Sequence, residues 1–205
     1  TNLANRRKLL DRLEHCITMS KRAKTQFAVL MLDLDRFKAV NDHFGHLAGD
    51  DLLQQVAKRI TQRLRSSDLL ARLGGDEFVV LLDDIKQSND AARVATEIIA
   101  ALAEPFLLNA ATHEAYIGTS IGISLYPEHA QSVSKLMDYA DMALYKAKDN
   151  GRGCYAFFSN QLTENVQARL KLEHELALAI KQQDFHVYYQ PQVDVVTGKI
   201  IGAEA

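Results

Sequence analysis

The sequence predicts an α+β fold, a central and mainly antiparallel sheet flanked by helices, followed by a linker helix and strand of different character. Three observations carry that expectation. Residues 28–32, Ala-Val-Leu-Met-Leu, form an unbroken apolar run, as expected of a strand buried on both faces. Two further short runs, residues 68–73 and 79–82, flank a Gly74-Gly75 turn and read as a β-hairpin. Strand and helix patterns alternate along the chain but with hairpins among them, which argues against a doubly wound parallel sheet.

The elements follow in order. Residues 3–24 read as a helix with Leu3, Leu9, Leu10, Leu13 and Ile17 on one face. The strand at 28–32 leads to a short helical turn through Phe37 and Val40. A longer helix over 47–65 carries the stripe Leu52, Leu53, Val56, Ile60 and Leu64. After the hairpin comes a helix over 90–104, with Val94, Ile98, Ile99 and Leu102 inward. Residues 105–108 and the turn at 109–111 suggest a small second hairpin. Residues 117–125 make another strand, in which Gly118 and Gly122 interrupt the side-chain cover. A helix over 132–149 carries Leu136, Met137, Ala140, Ala143, Leu144 and Ala147, and a short strand at 155–158 closes the sheet. Residues 161–183 read as a long helix, which leads to a strand over 185–193, a turn at 197–199 and a final apolar stretch from Ile200.

Composition bounds the function. The 205 residues suffice for one domain and part of another. A net charge of -2 argues against a nucleic-acid polymer held by bulk charge. The two cysteines, Cys16 and Cys154, stand far apart and match no metal spacing, so a reducing cytoplasm is the simpler setting. No apolar run approaches the ~18 residues that span a bilayer, so no membrane contact is expected from this segment. The chain opens abruptly on Thr1 and reads as a fragment, which leaves room for an upstream tether to the inner membrane.

The chemistry concentrates in carboxylates. Asp76 and Glu77 follow the paired glycines, where two adjacent anions repel each other and an ordinary turn gains nothing from them. Glycines permit positive φ and let a ligand approach the backbone. The apolar run at 28–32 ends in Asp33-Leu34-Asp35, and carboxylates at the end of a buried strand are costly unless paired, hydrated or metal-bound. If that strand lies beside the hairpin, Asp33 and Asp76 can share a hard cation such as Mg²⁺, with water and substrate phosphate filling the remaining positions. His43 and His46 stand three apart but lack a third ligand, so capping or packing is their expected role. No Walker A sequence is present.

Taken together, several motifs resemble the GGDEF family of diguanylate cyclases. They are Asp33-Leu34-Asp35-Arg36-Phe37-Lys38, Asn41-Asp42, Gly45-His46, Gly49-Asp50, Gly74-Gly75-Asp76-Glu77-Phe78, and residues 140–148 with Gly151-Arg152. The resemblance covers about the first three quarters of the chain. It implies a nucleotidyl-cyclase-like fold and the joining of two GTP molecules into cyclic di-GMP, in a homodimer, with Mg²⁺ or Mn²⁺. It implies that Asp33, Asp76 and the carbonyl of Leu34 hold metal, with Glu77 as a further ligand or as the base. Lys38, Lys148 and Arg152 resemble the family's phosphate contacts, and the amides of Arg36, Phe37 and Lys38 would cradle phosphate. The family often has an aromatic residue where Arg36 stands, a departure that main-chain contacts would survive. Asn41 and Asp50 are expected at the guanine, although Asp50 in the first turn of its helix has a capping role open to it.

Two further resemblances complete the expectation. Arg65 and Asp68 form an Arg-x-x-Asp pair whose spacing before Gly74 resembles the family's inhibitory product site for cyclic di-GMP; the alternative is a surface pair. The last quarter resembles the start of the EAL family of cyclic-di-GMP phosphodiesterases, with Glu204 at that family's metal-binding glutamate. The expected organisation is a cyclase domain over residues 1–159 and a linker with a truncated EAL start over 160–205. A lone glutamate gives this segment no hydrolytic activity. The competing function is a catalytically silent GTP-binding domain that regulates a downstream EAL domain.

Overall fold

The computed structural model describes residues 1, 3–108, 113–160, 162, 175, 176, 178–181 and 187–205. The chain divides into two compact units, Thr1–Thr163 and Glu164–Ala205. In the first, five strands form one sheet: β1 (Gln26–Asp35), β2 (Leu69–Gly74), β3 (Glu77–Ile85), β6 (Gly118–Tyr126) and β7 (Tyr155–Phe157). Their order is β2-β3-β1-β6-β7. All neighbours run antiparallel except β6 and β7, which are parallel and joined through helix α5 (Val133–Asp149). A parallel pair needs such a crossover, whereas the antiparallel pairs do not. The mainly antiparallel α+β expectation therefore holds, with one parallel edge.

Strand β1 is central, and its alternate residues feed two cores. Ala28, Leu30, Leu32 and Leu34 face α2 (Phe37–Phe44), α3 (His46–Thr61) and α4 (Ser88–Ala103). Phe27, Val29 and Met31 face α1 (Arg6–Ala23) and α5. This two-sided burial is why the run at 28–32 lacks polar alternation. Strands β4 (Phe106–Leu108) and β5 (His113–Ala115) pair as the small hairpin, whose expected turn at 109–111 lies outside the described residues.

Three expectations need correction. Helix α1 begins at Arg6, not residue 3, because the Asn5 side chain caps it by accepting from the Lys8 amide at 3.0 Å. Leu3 and Ala4 lie before that cap, and Ala4 bridges to Ala71 of β2. The segment from Phe37 is a full eight-residue helix rather than a single turn. The glycines do not form the hairpin turn together. Gly74 closes β2 and pairs with Glu77, so Gly75 and Asp76 are the two central residues and Glu77 opens β3. Positive φ falls on Gly75, at 48°, and not on Asp76, the pattern of a turn that needs glycine first.

Helix α5 seats itself by a stripe of small residues. On the α5 face of β6 stand Ser120, Gly122 and Ser124. Ser124 donates to the Leu136 carbonyl at 2.7 Å. A Cβ on Gly122 would collide with the Ala140 carbonyl and the Leu144 amide. Helix backbone thus rests directly on strand backbone, and α5 descends along β6 with its next turn over Ser120. Ser120 pairs in register with Asp33.

In the second unit, β8 (Gln190–Val193) and β9 (Ile200–Glu204) form an antiparallel hairpin. Its turn is held by Asp194, whose carboxylate accepts from the amides of Val196 and Thr197 and from the Thr197 hydroxyl. Those bonds, the two Thr197 contacts first, draw the Asp194 carboxyl below its ordinary range. Most of the helix expected over 161–183 lies outside the described residues, as do residues 185 and 186 of the expected strand.

Candidate functional site

The site lies where β1 ends. Asp33 pairs in register with Glu77 on one side and Ser120 on the other, so its carboxylate shares a sheet face with Glu77. The β3 register stops there, and Leu34 and Asp35 extend past it, paired only to β6. Thr119 donates to the Asp33 carbonyl at 2.9 Å. Asp76, half-buried in the turn, and exposed Glu77 complete the acidic end.

Lys148 reaches this point because α5 delivers it there. Its Nζ lies 2.8 Å from Asp33 Oδ1, and the two side chains are 31% and 18% exposed. One further residue of α5, Asp141, has a carboxyl raised above its ordinary value by desolvation. Lys148 opposes that rise, and Asp138 and Asp33 add to it. The chain leaves α5 through Gly151, Arg152 and Gly153, all at positive φ. Gly153 donates its amide to Asp35 Oδ2 at 3.2 Å, and Ser120 donates to Asp35 Oδ1 at 2.8 Å. Asp35 therefore pins the loop bearing exposed Arg152 to the end of β1.

On the opposite side of the strand end, Arg36 takes a left-handed conformation, φ 64°, and turns the chain into α2. No side chain caps α2, so the first amides of that helix are free of a side-chain partner, as an anion cradle requires. Phe37 is 8% exposed, which leaves its backbone rather than its ring for a ligand. Lys38 is exposed. Asn41 lies against Gly49 of α3, so close that a Cβ there would overlap its Oδ1. Asp50 is exposed one residue further on. Because α3 begins at His46, Asp50 sits beyond the first turn, and the capping role is ruled out.

Arg65 and Asp68 occupy the other end of β2. The Arg65 amide donates to Asp68 Oδ2 at 2.8 Å, and the Asp83 amide to Asp68 Oδ1 at 3.3 Å. They line a shallow recess with Asp83, Asp90 and Arg93. Asp83 is also bound by Arg12 at 2.9 Å, which links α1 to this corner.

Two residues escaped the sequence reading. Arg72 donates through Nε and NH2 to the Gly75 carbonyl, at 2.9 and 2.7 Å, and so braces the turn from within. Asp35 is the second. An arginine two before a glycine pair was a visible signal for the first; nothing local distinguished the anchoring role of Asp35 from a ligand role. Cys16 is no nucleophile, since burial, and then Asp83, pushes its thiol up to about 11.

All donors gathered at the strand end are oxygens, the set a hard cation takes. Among the described residues no three His, Cys, Asp or Glu side chains converge as a metal cage. A cation here would have one or two carboxylates and otherwise water and phosphate, which is the habit of Mg²⁺.

This arrangement is that of an α+β domain with an acidic strand end in its central sheet. Residues 1–154 match the diguanylate cyclase GGDEF-domain family, and the chain belongs to that family. It is 45% identical, over its whole length, to the bifunctional diguanylate cyclase/cyclic di-GMP phosphodiesterase MucR of Pseudomonas aeruginosa, of which it spans 30%. It is 46% identical over 177 residues, 85% of the chain, to the diguanylate cyclase TpbB of the same species, spanning 39% of that protein. The solved GGDEF domain of TpbB superposes with a TM-score of 0.79 at 42% identity, covering 82% of this chain and 96% of that one. The GGDEF domain of DgcB from Caulobacter crescentus, solved with c-di-GMP, superposes at 0.70 with 28% identity, covering 77% and 89%.

Proposed function

We propose that the first unit is a diguanylate cyclase domain that joins two GTP molecules into cyclic di-GMP and releases two pyrophosphates. The observation that carries this reading is the convergence of Asp33, Glu77, the Gly75-Asp76 turn and Lys148 on one strand end, beside the uncapped start of α2. In each half-reaction the 3′-hydroxyl of one GTP attacks the α-phosphorus of the other, and pyrophosphate leaves. Phosphoryl transfer of this kind depends on positioning and charge neutralisation more than on covalent help from protein. Asp33, Asp76 and the Leu34 carbonyl would hold Mg²⁺ or Mn²⁺, with Glu77 beside them. Such a cation neutralises phosphate charge and favours ionisation of the attacking hydroxyl. The amides of Arg36, Phe37 and Lys38 bind the outer phosphates, and Lys38, Lys148 and Arg152 add cationic contacts. Asn41 and Asp50 read the guanine edge. Glu77, exposed and registered with Asp33, serves in this reading as a further metal ligand or as the base that takes the hydroxyl proton.

Arg65 and Asp68 serve as a product site in this reading. The recess they share with Arg93 supports it, as does their position at the start of the strand that ends in the catalytic turn. Residues 160–205 are read as a linker and the start of an EAL domain. The β8–β9 hairpin supports this, because Val195 and Val196 are 101% and 93% exposed, and a lone hairpin is marginal in water. Glu204 alone gives the segment no phosphodiesterase activity.

A second reading has a specific observation behind it. The chain is 38% identical over 193 residues to PdeR of Escherichia coli, named a cyclic di-GMP phosphodiesterase. A silent GTP-binding domain governing an EAL domain would have that kind of relative. Incubation with GTP and Mg²⁺ separates the two. Cyclic di-GMP should accumulate, and Asp76→Asn, on a half-exposed turn, should fold normally yet lose most activity. GTP binding without product at high protein concentration would establish the regulator instead.

A further inference from the structure

We infer that Lys148 is an exchangeable counter-ion that holds Asp33 against divalent cations until a nucleotide arrives. The inference rests on the nucleotide reading above and concerns the state that precedes binding. Nζ of Lys148 stands 2.8 Å from Asp33 Oδ1, within hydrogen-bond distance. Both ends of this pair are fixed. Asp33 sits on the central strand, paired on both sides. Lys148 sits one turn beyond Leu144, where α5 backbone touches β6 backbone at Gly122. Packing therefore fixes the two backbones that bring the pair together, while the long, partly exposed Lys148 side chain remains able to turn to another partner.

An ammonium and a divalent cation cannot share one carboxylate oxygen without strong repulsion. The charge of Lys148 on Oδ1 opposes a cation at either oxygen of the carboxylate, so ion capture at Asp33 is favoured when Lys148 leaves. A triphosphate supplies the destination, since its anionic oxygens are better partners for Lys148 than one half-buried carboxylate. Metal and nucleotide then bind with mutual help, because each removes the obstacle to the other, and such coupling is reciprocal. In the empty protein the same pair neutralises an Asp33 that stands beside Glu77, so the strand end carries less repulsion.

The test measures Mn²⁺ binding to the nucleotide-free chain by electron paramagnetic resonance, with no turnover involved. Lys148→Gln should bind Mn²⁺ about tenfold more tightly than the parent, and Lys148→Arg, which keeps the charge, should not. Adding Asp33→Asn to Lys148→Gln should abolish the gain. Adding a non-hydrolysable GTP analogue should tighten Mn²⁺ binding to the parent far more than to Lys148→Gln. Equal Mn²⁺ affinity in parent and Lys148→Gln, with both folded by circular dichroism, overturns the inference while leaving the nucleotide reading intact if the analogue still binds. No binding of the analogue to the parent overturns the nucleotide reading, and Mn²⁺ titration of the empty protein still decides whether Lys148 guards Asp33.

Discussion

A methyl group on Gly49 would land on the Asn41 amide oxygen and press the Phe37 ring at 3.3 Å. Gly49 has no need of positive φ, since it lies inside α3. Its role is the close approach of α2, which sets the Asn41 side chain against the backbone of α3 one residue before Asp50. Gly49→Ala should leave stability within about 1 kcal/mol of the parent, because the gain in helix propensity offsets part of the clash. The displaced Asn41 should weaken GTP binding roughly tenfold, the size of one lost hydrogen bond. Calorimetry with a GTP analogue checks this, and unchanged affinity would remove Asn41 from the guanine site. The residue scale is also where the sequence was most legible. The meeting of Asp33 with the acidic turn was legible because a buried strand that ends in carboxylates and a hairpin with carboxylates after its glycines are brought to one sheet end once the strands pair. Arg72 and Asp35 were not legible, since bracing a turn or a loop is a matter of which carbonyl or amide lies in reach, and no spacing encodes that.

At the scale of elements, the seat of α5 on β6 governs the site. A Cβ at Gly122 meets helix backbone, which has no rotamer by which to yield. Gly122→Ala should cost about 2–3 kcal/mol or more by overpacking, lowering Tm by roughly 4–12 °C for a unit of this size. It should also lift Lys148 from Asp33, so nucleotide affinity should fall even where the protein remains folded. Thermal melts and binding on the same sample test both halves. At the end of β6, His129 accepts the Leu125 amide at 3.0 Å through Nδ1 and packs edge-on to Phe158. Burial lowers its pKa below the ordinary 6.5, with Glu128 opposing. The unfolded chain therefore takes up the proton first. Stability from this group is full above about pH 6.5 and drains as pH falls towards the lower folded value. His129→Asn, which keeps an acceptor for Leu125, should flatten the decline of Tm between pH 7 and 5.5. Helix and strand existence was readable from apolar periodicity, and the boundaries were not. The start of α1 was misjudged because Leu3 matches the helical stripe, while the Asn5 cap that overrules it is a local hydrogen bond. The turn was misjudged for a similar reason. Two glycines look like one turn until the pairing of Gly74 with Glu77 is known.

At the scale of the molecule, each unit of this kind carries one strand end, one turn and one uncapped helix start. On the proposed function, one such set accommodates one GTP. Joining two GTPs requires the 3′-hydroxyl of each to reach the α-phosphate of the other, so two sets must face each other across a two-fold axis. The exposed positions of Glu77, Asp50, Lys38 and Arg152 are what such a meeting requires, since a site enclosed within one unit could not present its substrate to a second. Catalysis should therefore be a property of a dimer that forms around substrate. With saturating GTP and Mg²⁺, rate per protein should rise with protein concentration and level off once pairs are filled. Well below that plateau the total rate should grow with the square of concentration, because two half-sites must meet. Mixing the parent with excess Asp76→Asn should then depress the rate further than dilution alone, as parent units are drawn into pairs with only one competent half. A rate strictly proportional to concentration down to high dilution, with a monomer in sedimentation throughout, would show that a single unit completes the reaction.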